Sequence, residues 1–338
     1  MALSNETILV TGGAGYIGSH TVLALREKGC KVLVLDNLEY GHQDLVENVL
    51  DVELIVGDIN DYDLLCDTFK SNNISAVIHF AAYAYVGESC SNPGKYYRNN
   101  VVGTLTLLEA MRDSGVNRIV FSSTCATYGE PSQVPIAESE PQNPINPYGV
   151  TKLTVEKMLK DFDAAHNIKS VIFRYFNAAG ADPNGRLGED HSPETHLIPL
   201  VLQTALGHRK AISIFGTDYP TPDGTCIRDY IHVTDLAEAH VLGLAYLFEK
   251  DSSNVFNLGN GSGFSVKEVI ETARKVTGQE IAAIEEDRRA GDPPILVGSS
   301  EKAQKLLGWK PSYSDLTQII EHAWKWHQSR HASTDKLG

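Results

Sequence analysis

The sequence predicts an α/β fold: a Rossmann-type doubly wound parallel sheet with a smaller α+β substrate-binding lobe. Three observations carry this. Short apolar runs alternate with helix-periodic segments through the first half of the chain. A glycine-rich turn, Thr11 to His20 (TGGAGYIGSH), joins the first apolar run to the first helical segment. From about residue 177 Pro, Gly and Asp become dense and the alternation stops.

The elements follow in order. Ile8-Leu9-Val10 reads as a buried parallel strand. Gly12, Gly15 and Gly18 come next, then a helix from Tyr16 to Lys28 closed by Gly29 as its C′ residue. A second strand, Val32 to Leu35, ends on Asp36. Glycines without Cβ let the backbone approach a pyrophosphate, which the helix N-terminus attracts with free N–H groups and its dipole. A carboxylate ending the second strand accepts both ribose hydroxyls and repels a 2′-phosphate, so Asp36 points to NAD rather than NADP. Further strands are expected at Leu54–Val56, Ala76–Ile78, Arg118–Phe121 and Ser170–Phe173, with helices near 61–71 and 96–114. Asp58, Phe80, Ala81 and Ser122 to Thr124 then lie at carboxyl ends of strands, where this architecture binds ligands.

Residues 1–176 read as the NAD-binding domain, with about 225–260 returning to it, and 177–330 as mainly the smaller lobe. Within that lobe Leu197–Leu206 is helical. The glycine-rich stretch Asn257 to Gly263 reads as a loop entering a helix, with Ser265 as N-cap and Glu268 completing a capping box. Ser329 to Gly338 reads as a frayed tail.

Composition narrows the function. The chain has 338 residues, 42% of them apolar and 21% charged, which describes an ordinary globular enzyme. A net charge of −14 excludes nucleic acid as a partner, since no basic stripe can replace counterions. Five scattered cysteines without C-x-x-C spacing read as reduced thiols, implying the cytoplasm. No signal peptide and no membrane span is expected.

Tyr148 and Lys152 are four apart in a segment of helical periodicity reaching Phe162, so both lie on one face. An ammonium beside a phenol favours the phenolate, which makes Tyr148 a usable base toward an alcohol. Thr124, ending a strand, offers a hydroxyl to the same substrate oxygen.

These motifs, with Tyr97-Arg-Asn-Asn100, Ser122 to Gly129, Asn146-Pro-Tyr-Gly149, Arg174-Tyr-Phe-Asn177, Asp223 to Val233 and Arg288-Arg-Ala-Gly-Asp292, make the chain resemble the extended short-chain dehydrogenase/reductase family. Within it the chain is similar to the UDP-glucose (UDP-galactose) 4-epimerases over about residues 6–328. The resemblance implies an NAD-dependent isomerase. Hydride leaves C4 of the sugar for tightly held NAD, the 4-keto sugar turns over, and hydride returns to the opposite face. It implies Thr124, Tyr148 and Lys152 as catalytic residues. Cofactor contacts are implied at Gly12, Gly15, Tyr16, Ile17, Gly18, Asp36, Asn37, Leu38, Asp58, Ile59, Phe80, Ala81, Ala82, Asn99, Ser122 and Tyr175, besides Tyr148 and Lys152. The UDP-sugar falls to Asn177, His196, Leu197, Phe215, Arg228, Arg289, Asp292 and Leu296, besides Thr124 and Tyr148. Arg228 and Arg289 supply fork-shaped donors for a diphosphate, although Arg228 also stands beside a local partner, Asp229. A homodimer through the helices near 96–114 and 148–163 is implied as well, and Leu105, Leu108 and Met111 give the first an apolar face.

Several positions refine this. Dehydratase and decarboxylase relatives need an acid or base where this chain has Cys125 and Ala126, so those activities lose their key group. Ala84 replaces a lysine that approaches the cofactor in some epimerases. His191, Glu194 and His196 hint at a metal, but Pro193 interrupts them and the histidines sit five apart, off one helical face, so no metal is expected. Leu296, where a tyrosine excludes 2-acetamido sugars, predicts UDP-glucose/UDP-galactose activity with UDP-N-acetylhexosamine side activity. Phe80–Ser89 and Ser123–Pro131 also resemble UDP-arabinose (UDP-xylose) 4-epimerases, which keeps UDP-pentoses as an alternative. A net NAD-dependent nucleotide-sugar oxidoreductase is a further alternative, and a non-enzymatic NAD sensor is disfavoured by the intact trio.

Overall fold

The structure is a computed structural model describing residues 3–289 and 292–334. Its centre is a seven-stranded sheet of β1 (Thr7–Thr11), β2 (Lys31–Asp36), β3 (Glu53–Val56), β4 (Ala76–His79), β5 (Arg118–Thr124), β6 (Lys169–Tyr175) and β7 (Asn254–Leu258). The order is β7-β6-β5-β4-β1-β2-β3, and every pair is parallel. From β1 the chain builds outward through β2 and β3, then returns to β1's other side with β4. The carboxyl ends of β1 and β4 therefore flank the switch point where such sheets bind ligands.

Alternation within single strands makes two cores. Ile8 and Val10 of β1 pack with Val22 and Leu25 of helix Tyr16–Glu27 and Leu236 and Leu244 of helix Val233–Lys250. Leu9, between them, faces the opposite layer with Leu65, Leu107 and Leu159 from helices Tyr62–Asn72, Thr104–Asp113 and Pro147–His166. Side chains two apart share a face and successive ones do not, so each strand feeds both layers.

The remaining strands are short. Asn177–Ala179 pairs with Tyr230–His232, Ile212–Phe215 with Ala283–Glu286, and Ile227–Arg228 lies between Phe264–Ser265 and Ile295–Leu296. With helices Leu197–Ala205 and Val266–Thr277 they enclose a third core around Val201, Ile214, Val269 and Ile319. Helix Val266–Thr277 begins with the expected capping box between Ser265 and Glu268.

Three expectations need correction. The segment 96–114 is not one regular helix: Pro93–Tyr96 leads into a wider π-helical stretch, Tyr97–Gly103, before Thr104–Asp113. On it Leu108 and Met111 are buried under the sheet, so the apolar residues left outside are Tyr97, Val102 and Leu105. The tail continues as helix Leu316–Thr334, because Ile319, Ile320, Ala323 and Trp326 recur at helical spacing and bury one stripe. Residues 335–338 of that tail lie outside the described residues, as do Ala290 and Gly291. Among the described residues no helix is long and apolar enough to cross a membrane.

Candidate active site

The cradle at the switch point is built from backbone. Gly12 has φ +73°, and a Cβ there would stand 2.6 Å from the Ala81 amide nitrogen, so the turn packs directly against the chain leaving β4. Gly15 is the N-cap of helix Tyr16–Glu27 and no side chain caps it, which leaves the first-turn N–H groups facing the crevice. Asp36 is buried and accepts the Ala14 and Leu38 N–H groups at 3.0 and 2.9 Å; burial raises its pKa and these bonds oppose the rise. Lone pairs remain for further donors. An uncapped helix start, a turn without Cβ atoms and a fixed carboxylate are a donor set that fits a dinucleotide.

Other predicted cofactor residues gather at the same edge. Leu38 adopts φ +61° just after β2. Asn37 and Asp58 are exposed, Ile17 half-buried and Ile59 buried. Phe80 packs against the buried His240 ring at 4.7 Å, beside the half-buried Ala81 and Ala82. Tyr16 donates to the Gly180 carbonyl at 2.7 Å. Ser122 and Tyr175 hydrogen-bond each other from adjacent strands. Asn99 Nδ2 donates to the Asn100 side-chain Oδ1 at 3.0 Å, and the Asn100 side chain in turn holds both the N–H and the C=O of the Tyr83 backbone. Beneath them runs Thr11–His79–Thr104, in which the imidazole bonds both hydroxyls and burial lowers its pKa to about 3, keeping it neutral.

Thr124, Tyr148 and Lys152 come together at the carboxyl end of β5. Asn146 caps the helix by accepting the Gly149 N–H at 2.8 Å, and Pro147 occupies its first turn. A Cβ on Gly149 would lie 2.5 Å from the Ala126 carbonyl, so only glycine lets this helix press against the turn after β5. Thr124 caps that turn through the Ala126 N–H, and its hydroxyl acts on the Tyr148 phenol to lower its pKa. Lys152 is 3% exposed and its Nζ donates to the Ser122 carbonyl at 2.8 Å.

The electrostatics differ from the sequence-based expectation. Burial drives the Tyr148 pKa well above its ordinary value, Tyr175 adds to this, and the Thr124 hydroxyl opposes it. Lys152 Nζ stands 6.0 Å from the ring centre, and burial pushes its own pKa down to about 7. Burial of the neighbouring Cys125 pushes its thiol up to about 12, which leaves it a poor nucleophile.

The predicted nucleotide-sugar residues form a second group. Arg228 pairs with Asp292, not with its neighbour Asp229. Asp229 is fully buried and turns inward to accept N–H groups from Asn260 and Gly298; burial raises its pKa to about 6. Its own carbonyl receives both the backbone and side-chain N–H of Asn177, and its N–H donates to the Leu296 carbonyl. Leu296 lies in register with Arg228 across adjacent short strands. The Arg289 guanidinium stacks on Phe215 at 3.8 Å from the ring centre. A cavity of about 680 Å³ opens here, lined by Arg289, Asp292, Tyr219 and Ile295 among others, and it does not reach Tyr148. His196 stands at the N-cap position of helix Leu197–Ala205, where its side chain does not cap the helix but bonds Glu189 through Nδ1 at 2.5 Å.

That fold, with a dinucleotide cradle and a Thr/Tyr/Lys group on one sheet edge, defines a pyridine-nucleotide-dependent enzyme of the extended short-chain dehydrogenase/reductase type. The chain belongs to the NAD dependent epimerase/dehydratase family, whose model matches residues 8–259. It is 60% identical over 321 residues to the UDP-glucose 4-epimerase of Halalkalibacterium halodurans, covering 95% of each chain. Among solved structures it is similar to UDP-glucose 4-epimerase from Brucella ovis in complex with NAD, at TM-score 0.92, 50% identity and coverage of 94% and 97%. It also matches UDP-glucose 4-epimerase from Bifidobacterium longum in complex with NAD+ and UDP, at TM-score 0.92, 40% identity and coverage of 96% and 99%.

Sequence reasoning missed two supports of the site. Glu156, one turn beyond Lys152, is buried and bonds Ser123 and Arg174; Arg174 reaches Tyr128, which bonds Asn257. This chain ties the helix that carries Tyr148 and Lys152 to β5, β6 and β7. The i, i+4 spacing of Lys152 and Glu156 was the available signal. For Asp229 there was none, since its partners come from residues far along the chain.

Proposed function

We propose that the protein interconverts UDP-glucose and UDP-galactose by inverting C4 of the hexose. The observation that carries this reading is the convergence of Thr124, Tyr148 and Lys152 beside the glycine cradle, with Cys125 and Ala126 supplying no further acid or base. NAD held by the cradle would supply a hydride acceptor and donor for C4. Tyr148 removes the 4-hydroxyl proton and later returns it, and the Thr124 hydroxyl steadies that transfer. Lys152, fixed by the Ser122 carbonyl, orients the nicotinamide ribose. Asn177, His196, Leu197, Phe215, Arg228, Arg289 and Asp292 hold the UDP moiety, and Leu296 lines the sugar pocket. The cofactor residues named from the sequence serve the same reading. The arginines are held ready in the protein itself, Arg228 by Asp292 and Arg289 by Phe215, which favours fixed geometry toward a diphosphate.

Residues 1–176, with about 225–260, form the NAD-binding part in this proposal, and 177–330 mainly the UDP-sugar part. The protein works as a homodimer in the cytoplasm; the outward Tyr97, Val102 and Leu105 support the first, and five free cysteines the second. The test is purified protein with UDP-galactose and no added NAD, following UDP-glucose. Turnover supports the proposal together with co-purifying cofactor. Silence with NAD demonstrably bound rejects the substrate and sends the search to UDP-pentoses. Leu296, without a hydroxyl, favours side activity on UDP-N-acetylhexosamines, which the same assay with UDP-GalNAc reads.

A further inference from the structure

The loop between Gly188 and helix Leu197–Ala205 does something its sequence spacing argued against. Its residues are not on a helix, so the five-residue separation of His191 and His196 does not keep them apart. Glu189, His191, Glu194 and His196 each offer a ligand atom, and these atoms all lie within 4.8 Å of one another. The separations are specific: 3.3 Å from His191 Nδ1 to Glu189 Oε1, 3.7 Å from His191 Nδ1 to Glu194 Oε2, and 3.6 Å from His196 Nδ1 to Glu194 Oε1. A tetrahedral ion with bonds of about 2.0–2.1 Å places neighbouring donors about 3.3–3.4 Å apart. The 2.5 Å pair, His196 and Glu189, must open to admit one, and the widest pairs, up to 4.8 Å apart, must close.

A second observation points the same way. His191 Nδ1 is shielded from solvent and makes no hydrogen bond of proper geometry, although it faces both carboxylates. The side chains of Glu189 and Glu194 are only 3% and 5% exposed. Both carboxylates face the two imidazoles, and Glu194 Oε1 also accepts the Thr195 and His196 N–H groups, so all four side chains are held together in one small volume. The surroundings hold the loop in place. Tyr16 and Tyr85 present ring edges to His191 at 6.2 and 6.3 Å, Tyr85 donates to the Pro193 carbonyl, and Trp326 donates to the Glu189 carbonyl.

From this convergence of two imidazoles and two carboxylates we propose a binding site for one divalent transition-metal ion. The mixed nitrogen and oxygen set suits Zn2+, Co2+ or Mn2+, whereas Mg2+ and Ca2+ prefer oxygen alone. The ion binds imidazole nitrogens free of protons, so any proton held at the two Nδ1 atoms leaves as it enters. Its role is to fix the loop that carries His196, because one ion cross-links both ends of that loop.

The experiment uses tag-free holoenzyme. It is equilibrated with Zn2+ or Co2+, desalted, and analysed for metal by mass spectrometry and visible absorption. The expected result is one retained equivalent, with the intense d–d bands of four-coordinate Co2+. His191→Ala, and separately the milder His191→Gln, lowers affinity by more than about tenfold while NAD content and far-UV circular dichroism stay unchanged. Three outcomes overturn the site: no retained metal, the weak spectrum of hydrated Co2+, or equal retention in both variants, which indicates an adventitious ion only.

Discussion

The two ends of the crevice are built by opposite means. The glycine cradle of the cofactor end comes from one stretch of chain, Gly12 to Asp36, and its working groups are mostly backbone: a tight turn, an uncapped helix start and one carboxylate fixed by two N–H groups. The end proposed for the nucleotide sugar draws on Asn177, Phe215, Arg228, Arg289, Asp292 and Leu296, side chains spread over more than a hundred residues and held by one another. A backbone site tolerates change on its surface but not at its glycines. A side-chain site tolerates exchange of single residues without disturbing the backbone that carries them.

Substitutions can break or sharpen that contrast. The largest effect is expected between the two ends, at Tyr148→Phe. Loss of the proton carrier lowers kcat by about 10³-fold or more, with NAD still bound and KM little changed, as steady-state kinetics would read. At the cofactor end, Gly12→Ala meets the Ala81 backbone and places a Cβ at φ +73°. It destabilises the protein by about 2–4 kcal/mol and abolishes NAD retention, measurable by denaturant unfolding and absorbance of the released cofactor. If Gly12→Ala keeps full NAD content, the cradle is not backbone-limited.

At the other end, Arg289→Ala removes a charge-assisted donor at roughly 1.5–3 kcal/mol, or about 10- to 100-fold in KM for the UDP-sugar. Its NAD content stays unchanged. A fall in kcat without a rise in KM would contradict the assignment.

Lys152 gives a pH test. Its folded pKa is depressed to about 7 from 10.5, so between those values the unfolded chain binds more protons. Stability therefore rises with pH across that window, and the burial penalty is fully present below about 7. Relative to Lys152→Met, NAD-stripped wild type gains roughly a few kcal/mol from pH 7 to 10. Parallel melting curves across that range would show that Lys152 is not so depressed. The smallest effect is expected from Leu296→Tyr, which lowers the ratio of UDP-GalNAc to UDP-galactose turnover by several-fold, about 1 kcal/mol.

Legibility followed the same divide. The glycine turn, Asp36, the helix with Tyr148 and Lys152 and the Ser265 capping box depend on neighbours within a few residues, and periodicity exposes them. Leu108 and Met111 looked available for a partner because periodicity reveals an apolar face and not what covers it. His191 and His196 were judged by helical spacing, and the loop that unites them obeys no period.

By itself the sequence determined the parallel α/β scaffold and its cofactor end, because repeating local patterns carry that information in order along the chain. The tertiary structure alone decided that Arg228 pairs with Asp292 while Asp229 turns inward, and that burial dominates the acidity of Tyr148. Those outcomes depend on which distant groups share a desolvated volume, and desolvation is a property of packing rather than of any local stretch of residues.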